Sequence, residues 1–337
     1  MLWMKTEAGP VAVISGGLTG GDIRGAWKAR WGIGRMSYLV PPGLYAIGEP
    51  DHTAPVVVTA NYKMSYDLVR SELAGRNIWL LVLETFGINV WCAAGKGTFG
   101  TGELVRRIDS SGLQRVVSHR RLLLPIMAAA GVKAVEVKKR SGFEVCFSTL
   151  RIQDLPAYLD HGLKTASREM RELTFGFRER LVLTPIEVIG AMKSLPFTGL
   201  PLALLAGFAG GVFSPDRFLA VLILSIIALS CGAFLAPLLL PLLPGRMFSV
   251  KGAIAGLACS QVCLVILARH TLVGRVDSAA MMLIMSTVSS FYMMNFTGST
   301  PFTSPSGVRR EMQRSLPVMA VAAVIGIVLL VLRIILP

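Results

Sequence analysis

The stretch Asn89-Val90-Trp91-Cys92-Ala93-Ala94-Gly95-Lys96 decides how the rest of this chain is interpreted. It follows the apolar run Ile78–Leu83, which predicts a buried strand, and it precedes a turn rich in glycine and threonine, Gly97–Gly102. Its alanines and its glycine carry little or no side chain, so a flat ligand can approach the backbone closely. If a short helix begins at Trp91 or Cys92, its N-terminal amides favour the thiolate form of Cys92, which is the form that binds metal.

Composition divides the chain into two parts. Its 337 residues carry a net charge of +14, and 53% of them are hydrophobic while only 16% are charged. Beyond residue 195 the only acidic residues are Asp216, Asp277 and Glu311. A soluble domain followed by a membrane domain accounts for this asymmetry. The excess of basic residues suits anionic lipid headgroups, and no basic patch interleaved with aromatic residues suggests a nucleic-acid partner.

The second part predicts an all-α transmembrane domain of five helices, at about 196–215, 218–243, 252–268, 278–296 and 315–336. Each stretch approaches or exceeds the roughly 20 apolar residues that a membrane-crossing helix needs. Lysine and arginine are twice as frequent on the flanks that share a side with the first domain. The sequence therefore predicts a multi-pass protein of the inner (cytoplasmic) membrane, with the first domain in the cytoplasm and the C-terminus outside.

The first part predicts an α/β fold. Pro55–Thr59, Ile78–Leu83, Arg115–Val117, Ala134–Val137 and Phe143–Phe147 are the predicted strands, and helical spacing separates several of them, at Met64–Leu73 and Glu103–Ile108. This alternation indicates a largely parallel, Rossmann-like sheet that binds ligands beyond the strand ends.

We therefore divide the chain into four segments. Residues 1–54 are an N-terminal extension that wraps the soluble domain, and 55–165 form the α/β domain. Residues 166–195 are a linker with an interfacial amphipathic helix, which Thr184-Pro185-Ile186-Glu187 begins as a capping box. Residues 196–337 form the transmembrane domain, whose loop from Thr297 to Arg314 either contacts the soluble domain or a partner, or is simply flexible.

The motif Asn89–Lys96 resembles the signature of the membrane-bound corrinoid protein of microbial mercury methylation. The resemblance extends from about Leu18 to the last hydrophobic segment. The wider relatives, large subunits of corrinoid iron–sulfur proteins, share the part Ala93–Lys96 but lack the cysteine. Cys92 therefore separates the two families.

The resemblance implies a cobalamin-type corrinoid held over a cap helix, with Cys92 as the catalytic residue and as the lower axial ligand of cobalt. It implies further cofactor-binding residues within the motif and at two strand ends, namely Thr59, Asn61, Thr85, Gly87, Asn89, Val90, Trp91, Ala93, Ala94, Gly95 and Lys96. Ordinary turn and capping chemistry is the alternative for the threonine and asparagine positions. His119 follows the predicted third strand and is a candidate to hold corrin amides or a phosphate, unless it belongs to a solvated basic turn.

The implied activity is that of a corrinoid-dependent methyltransferase. Cobalt takes a methyl group from a donor, expected to be a methylated folate or its methyltransferase, and passes it to Hg(II) to form methylmercury. An anionic thiolate below cobalt pushes electron density toward the methyl group, which helps it leave toward a soft electrophile. The chain has no C-x-x-C pair, so we expect a ferredoxin-like iron–sulfur protein as its electron donor.

Two other functions fit parts of the sequence. Gly95-x-Gly97-x-x-Gly100 matches the dinucleotide fingerprint of a nicotinamide or flavin oxidoreductase, but no acidic residue lies between Asp109 and Glu136 to hold the ribose. A membrane transporter or sensor with a soluble ligand-binding head is the second alternative, although such transporters usually carry charges inside their spans. Cys259 and Cys263, spaced i and i+4 on a predicted span, are either packed thiols or a site for a soft metal ion.

Overall fold

The structure is a computed structural model that describes residues 2–162, 167–208, 212–269 and 275–335. The chain forms two compact units, Met1–Leu173 and Thr174–Pro337. Each unit has its own hydrophobic core.

The first unit is built on a mixed sheet of seven strands. They are β1 (Leu2–Thr6), β2 (Gly9–Ile14), β3 (Gly43–Ile47), β4 (Val56–Ala60), β5 (Ile78–Leu83), β6 (Arg121–Leu124) and β7 (Glu144–Phe147). Their order across the sheet is β1-β2-β3-β5-β4-β6-β7. Strands β5, β4, β6 and β7 are mutually parallel, whereas β3 runs antiparallel to β5 and β1 runs antiparallel to β2. The four parallel strands place their carboxyl ends along one edge of the sheet.

Helices cover both faces of this sheet. They are α1 (Gly20–Arg30), α2 (Lys63–Glu72), α3 (Val90–Lys96), α4 (Thr101–Ser110), α5 (Leu113–Val116), α6 (Ala134–Ser141), α7 (Leu155–Asp160) and α8 (Arg168–Arg171). Side chains of α4 and α6 share one core with alternate residues of β4 and β5, while α2 and α7 share the other core with the intervening residues. Every residue of β4 and β5 is buried, which explains their uninterrupted apolar sequences.

The structure confirms most of the predicted elements of the α/β domain and corrects two. Arg115–Val117, predicted as a strand, lies mostly in α5, which begins after Gly112 in the left-handed conformation. Ala134–Val137, also predicted as a strand, begins α6, where Val137 is buried and Val135 faces solvent. In both cases β-branched residues favoured a strand locally, but packing on one face of a helix prevailed.

Residues 1–54, predicted as an extension around the sheet, supply strands β1, β2 and β3 of the sheet itself, together with α1. Ala12, Ala46 and Ile47 in these strands are buried. The segment is therefore part of the fold of the first unit.

The second unit is helical. Its helices are α9 (Phe177–Met192), α10 (Gly199–Gly207), α11 (Pro215–Ser230), α12 (Ala236–Leu238), α13 (Phe248–Arg269), α14 (Arg275–Asn295) and α15 (Pro305–Ile335). Cys231–Leu235 forms a π-helical turn between α11 and α12. In the described parts of the chain, four helices are long and apolar enough to cross a membrane: Pro215–Leu238, Phe248–Leu267, Val276–Ser299 and Ser306–Leu332.

The region of the first predicted span, 196–215, differs from the prediction. Its helix α10 has only nine residues, and residues 209–211 lie outside the described part of the chain. The predicted capping box at Thr184 is also wrong, because α9 already begins at Phe177 and Pro185 lies inside it. The hydroxyl of Thr184 donates instead to the carbonyl of Leu181, at 2.9 Å.

Candidate functional site

Helix α3 lies at the edge of the sheet where the parallel strands end, and its own sequence fixes both of its ends. The side-chain oxygen of Asn89 accepts a hydrogen bond of 2.9 Å from the backbone N–H of Cys92, which caps the first turn. Gly97 ends the helix with a φ of 80°, a left-handed conformation that glycine adopts without strain. Asn89, predicted as a cofactor-binding residue, therefore positions the cysteine.

The small residues of α3 are divided between its two faces. Ala93 and Ala94 are buried against the core, which brings the helix close to the sheet. Trp91, Cys92, Gly95 and Lys96 are exposed, and a Cβ atom built on Gly95 would have nothing within 4 Å. Because residues three apart share one face of a helix, open space lies beside the thiol of Cys92. Val90 contributes to the core from the first turn.

Gly131, in the loop after β6, packs against the backbone of α3. This contact was not predicted from the sequence. A Cβ atom on Gly131 would lie 2.9 Å from the carbonyl oxygen of Ala94 and would also collide with the carbonyl oxygen of Phe99. The backbone N–H of Thr101 donates to the carbonyl of Gly131, at 3.3 Å. Only glycine permits this approach, so Gly131 sets the height of α3 above the sheet. The signal in the sequence was an isolated glycine after a run of alanines.

Asn61 organises the loop that leads from β5 into α3. Its side-chain oxygen accepts hydrogen bonds from the backbone N–H of Thr85 at 3.0 Å, from the Thr85 hydroxyl at 2.9 Å and from the N–H of Gly87 at 3.2 Å. Asn61 and Thr85 are fully buried, and Thr59 is 2% exposed. Asn61 and Thr85 hold the loop in place with their own polar groups. A contact between them and a ligand stays a prediction.

Two glutamates that sequence reasoning did not select complete this loop. Glu84 accepts hydrogen bonds from the side-chain N–H of Asn61 at 2.7 Å and from the backbone N–H of Phe86 at 2.8 Å. Glu103 in α4 accepts from the backbone N–H of Glu84 at 2.8 Å. Burial raises the pKa of Glu103, but hydrogen bonds from Glu84 and Arg107 outweigh it and leave that pKa below its ordinary value. The carboxylate of Glu103 therefore stays ionised under the loop.

The loop also exposes an aromatic side chain near the motif. Phe86 is 65% exposed and has a φ of 56°, a value that few residues other than glycine adopt. This conformation is held by hydrogen bonds that the backbone N–H groups of Phe86 and of its two neighbours donate to Glu84 and Asn61. An exposed aromatic ring in a constrained turn at a strand end is typical of a ligand-contacting surface.

His119 lies at the opposite edge of the sheet. The prediction placed it after a third strand at Arg115–Val117, but the strand is β6 and begins at Arg121, so His119 precedes it. Its Nε2 lies 2.9 Å from the carbonyl oxygen of Ala54, and its Nδ1 accepts from the N–H of Arg121 at 3.2 Å. The structure therefore does not bring His119 together with Cys92.

The glycines that match the dinucleotide fingerprint do not form its turn. The fingerprint requires a glycine turn directly between a strand and a helix. Here Gly95 lies inside α3, Gly97 ends that helix, and Gly100 precedes α4. The geometry therefore gives no support to a nicotinamide or flavin site.

The other cysteines lie away from α3 in the chain. Burial raises the pKa of the Cys146 thiol, which lies in β7. In the second unit the sulfur of Cys259 lies 3.3 Å from that of Cys231, in the π-helical turn. Among the described residues, no group of three or more histidine, cysteine, aspartate or glutamate side chains could hold a metal ion. A cofactor at α3 would thus be held through Cys92 alone among such ligands.

Comparison with known proteins places a similarity over the first unit. Residues 35–151 match the family model of the CO dehydrogenase/acetyl-CoA synthase delta subunit. This range contains α3, Gly131 and the Asn61 loop, but not α1 or the second unit.

Curated relatives match stretches of about 100 to 130 residues of the chain. The acetyl-CoA decarbonylase/synthase complex subunit gamma of Methanopyrus kandleri is 40% identical over 124 residues, which are 36% of this chain and 26% of the relative. The corresponding subunit of Methanocaldococcus jannaschii is 34% identical over 106 residues, 31% of this chain and 22% of the relative. That of Archaeoglobus fulgidus is 36% identical over 104 residues, 30% of this chain and 22% of the relative. The chain thus spans about a quarter of the length of the curated relatives it matches.

Proposed function

We propose that this chain is a corrinoid-dependent methyltransferase in which the Cys92 thiolate would hold the cobalt. One observation carries the proposal. The thiol is exposed on a capped helix at the carboxyl edge of the sheet, beside a glycine with open space around its Cβ position. The match of residues 35–151 to the CO dehydrogenase/acetyl-CoA synthase delta subunit family supports a place in one-carbon chemistry, as does the similarity of the chain to gamma subunits of the acetyl-CoA decarbonylase/synthase complex.

The position of α3 also suits a large flat ligand. The parallel strands follow the order β5-β4-β6-β7, so the chain turns from one side of β4 to the other between β5 and β6. Ligands of doubly wound sheets bind beyond the carboxyl ends of the strands at such a point. This point lies between β4 and β6. The loop after β4 begins with Asn61, which holds the loop that leads into α3, and the loop after β6 carries Gly131, which packs against α3. We therefore interpret the first unit as a Rossmann-like corrinoid-binding domain.

The residues of this chain have distinct tasks in the proposal. Asn89 fixes the first turn of α3 and hence the backbone of Cys92. Ala93 and Ala94 keep the helix close to the sheet, and Gly95 leaves room for the ring next to the sulfur. A bound corrinoid supplies a cobalt ion that carries a methyl group from a donor to an acceptor. A thiolate is an anionic, soft ligand that suits such a metal and raises the electron density available to the methyl group.

We propose Hg(II) as the methyl acceptor, because a methyl group that leaves with its electron pair reacts with a soft electrophile. The proposed donor is a methylated folate or its methyltransferase. The proposed electron donor is a ferredoxin-like iron–sulfur protein, since the sequence has no C-x-x-C pair of its own. The four candidate spans support a membrane location. We place the corrinoid domain in the cytoplasm and the spans in the inner membrane.

The test uses the full chain purified in detergent under anaerobic conditions. Loaded with a corrinoid, it should contain cobalt at one atom per chain and convert Hg(II) to methylmercury when a methyl donor and a reductant are present. Cys92→Ala should change the visible spectrum of the bound corrinoid and abolish methylmercury formation. Cys146→Ala removes the other thiol of the first unit and should change neither.

Two results would overturn the proposal. One is a purified chain that takes up no corrinoid. The other is a Cys92→Ala variant that keeps both the spectrum and the rate of the unmodified chain.

A further inference from the structure

A groove of about 500 Å³ lies between α1 and α2 and ends beside α3. Trp27 and Arg30 line it from α1, Tyr62, Ser65 and Leu68 line it from the side of α2, and Asn89 lies at its end. Asn89 is also the residue that caps α3 and bonds to the backbone of Cys92. The groove therefore begins next to the proposed cobalt site. Helix α1 lies outside residues 35–151, so this wall is a feature beyond the matched family domain.

Ion pairs hold the two walls of the groove together. Asp22 in α1 lies 2.5 Å from the ammonium group of Lys63 and 2.8 Å from the guanidinium of Arg70. Asp67 in α2 lies 2.8 Å from each of the same two cations. Arg70 also donates to the carbonyl oxygens of Ser15 and Gly17. The groove is thus formed before any ligand enters it.

Arg30 is the one cation among the described residues that line the groove. Asp22 and Asp67 line the groove, but both are paired with Lys63 and Arg70. Among the described residues no carboxylate forms an ion pair with Arg30, and burial lowers the pKa of its guanidinium. A partly buried guanidinium without a carboxylate is a ready partner for a phosphate group, which it binds with paired hydrogen bonds.

The groove also offers an aromatic surface. Trp27 is 61% exposed although it lines the groove. Its ring lies 5.6 Å from that of Trp31, which steadies it. Ile23 and Leu68, on either side, are also largely exposed. An exposed tryptophan one helical turn from an unpaired arginine suits a planar base attached to a phosphate.

We propose that this groove binds the nucleotide loop of the corrinoid, with its aromatic base at Trp27 and its phosphodiester at Arg30. The inference rests on the proposed function. It assigns the groove one task, which is to hold the base away from cobalt so that the lower face stays open to Cys92. Charge complementarity favours this occupant, because the loop combines an anionic phosphodiester with an apolar base and is covalently tethered to a ring that sits over α3.

The experiment compares two corrinoids on the full chain in detergent. Cobalamin has the nucleotide loop, whereas cobinamide has the same ring and cobalt without it. Calorimetric titration should show cobalamin binding roughly tenfold or more tighter than cobinamide, since stacking of one base alone contributes about 1–3 kcal/mol. Trp27→Ala and Arg30→Met should each reduce this preference and leave the Kd for cobinamide unchanged.

Two control variants lie outside the groove, and a third variant changes its opposite wall. Lys28→Met removes an exposed cation from the same helix, and Trp3→Ala removes an exposed tryptophan from β1; neither residue lines the groove, and both variants should keep the preference. Ser65→Leu fills the groove from the opposite wall and should also lower the preference for cobalamin. This variant tests the groove even if a change in α1 disturbs folding. Circular dichroism shows whether each variant keeps the secondary structure of the unmodified chain.

The outcomes separate this inference from the proposed function. Equal binding of both corrinoids, unaffected by the variants, overturns the groove assignment and leaves the proposed function standing. Weakening of both corrinoids to the same degree shows that the groove holds part of the ring and also overturns the assignment. No binding of either corrinoid overturns the proposed function itself.

Discussion

The hydroxyl of Ser299 donates a hydrogen bond of 2.6 Å to the carboxylate of Glu187, although 112 residues separate them in the chain. Nearby, the ring of Phe175 packs against those of Phe296 and Phe302. The start of α9 and the end of α14 therefore lie on the same side of any membrane that the second unit spans. Three candidate spans connect Pro215 to Ser299. An odd number of crossings places Pro215 on the opposite side from Ser299 and hence from Glu187.

We therefore predict one further crossing between Glu187 and Pro215, which would make five crossings in place of the four candidate spans. Residues at the end of α9 pack on the later part of α11 and on the π-helical turn after it, where Ala191 shares a core with Leu229 and Ala233. Helix α10 packs on the earlier part, since a Cβ atom on Gly207 would lie 3.2 Å from Phe218. We predict that the end of α9 and α10 together make one broken crossing, which neighbouring helices can stabilise.

Fusions with reporter proteins test this topology. Alkaline phosphatase, which is active only outside the cytoplasm, should be active when fused after Ser214. Green fluorescent protein should fluoresce when fused after Gly245 and after Ser304. The opposite pattern at Ser214 and Gly245 would show that the chain does not cross before α11.

Gly95→Leu should separate stability from ligand binding. A leucine in a helix is more favourable than glycine by about 0.7 kcal/mol, and its Cβ would meet no atom of the chain. The variant should therefore be at least as stable as the unmodified chain. Its side chain would occupy the space beside Cys92, so corrinoid binding should weaken roughly tenfold or more, as overpacking of about 1–3 kcal/mol implies.

Gly102→Leu is the matched control for this variant. Gly102 is an exposed glycine in α4 that also has nothing within 4 Å of its Cβ position. It should gain stability in the same way and bind corrinoid normally. Unchanged binding by Gly95→Leu would mean that the ligand does not lie over this face of α3.

Gly131→Ala should destabilise the first unit by about 1–3 kcal/mol. The added methyl group would collide with the backbone of Phe99 and Ala94, which cannot move as a flexible side chain would. Urea unfolding followed by tryptophan fluorescence measures the effect. All five tryptophans lie within the first 91 residues, so the signal reports on the first unit of the intact chain in detergent. An unfolding midpoint equal to that of the unmodified chain would contradict the close approach of Gly131 to α3.

The ion pairs of Asp22 should make the first unit sensitive to acid. The hydrogen bond from Lys63 is the main cause that lowers the pKa of Asp22, and it outweighs burial, which raises it. Because the folded state holds the proton less tightly than the unfolded state, this stabilisation is complete above the ordinary aspartate pKa near 4 and fades as the pH falls below it. Asp22→Asn should lose about 2 kcal/mol at pH 7, and a smaller difference should remain at pH 3.

Asp109→Asn removes the same charge from an exposed position on α4 and serves as the control. Among the described residues Asp109 forms no ion pair, so its replacement should leave the urea midpoint nearly unchanged at both values of pH. A loss for Asp22→Asn that grew on acidification would contradict the direction of the pKa change.

Local sequence patterns predicted the strand whose burial is uniform and the helix that is long enough to show a period. Strand β5 is an unbroken apolar run buried on both faces, and α2, with ten residues, shows helical spacing with Tyr66 and Val69 in the core. Patterns failed where burial is one-sided and the element is short. In α5 and α6 the valines pack on one helical face, a pattern that three or four residues cannot distinguish from a strand. Residues 1–54 gave no clear period, because β1 and β2 alternate exposed and buried positions irregularly.

The residues of the candidate site also differ in how far the sequence predicts them. The motif around Cys92 could be selected from sequence, since its helix, its cap and its glycine are contiguous. Glu84, Gly131 and the groove beside Trp27 depend on contacts between distant parts of the chain. His119 was misplaced because an error of a few residues in one strand moved it from one edge of the sheet to the other.

The exposure of Cys92 has a consequence for handling the protein in air. Of the five cysteines it is the one whose side chain is open to solvent, and oxidants that convert thiolates to sulfenic and then sulfinic acid act first on such sulfurs. Sulfinic acid no longer offers the soft sulfur donor. Preparations made without a reductant should therefore lose their capacity for the cofactor irreversibly, and a ligand already in place would shield the sulfur from that damage.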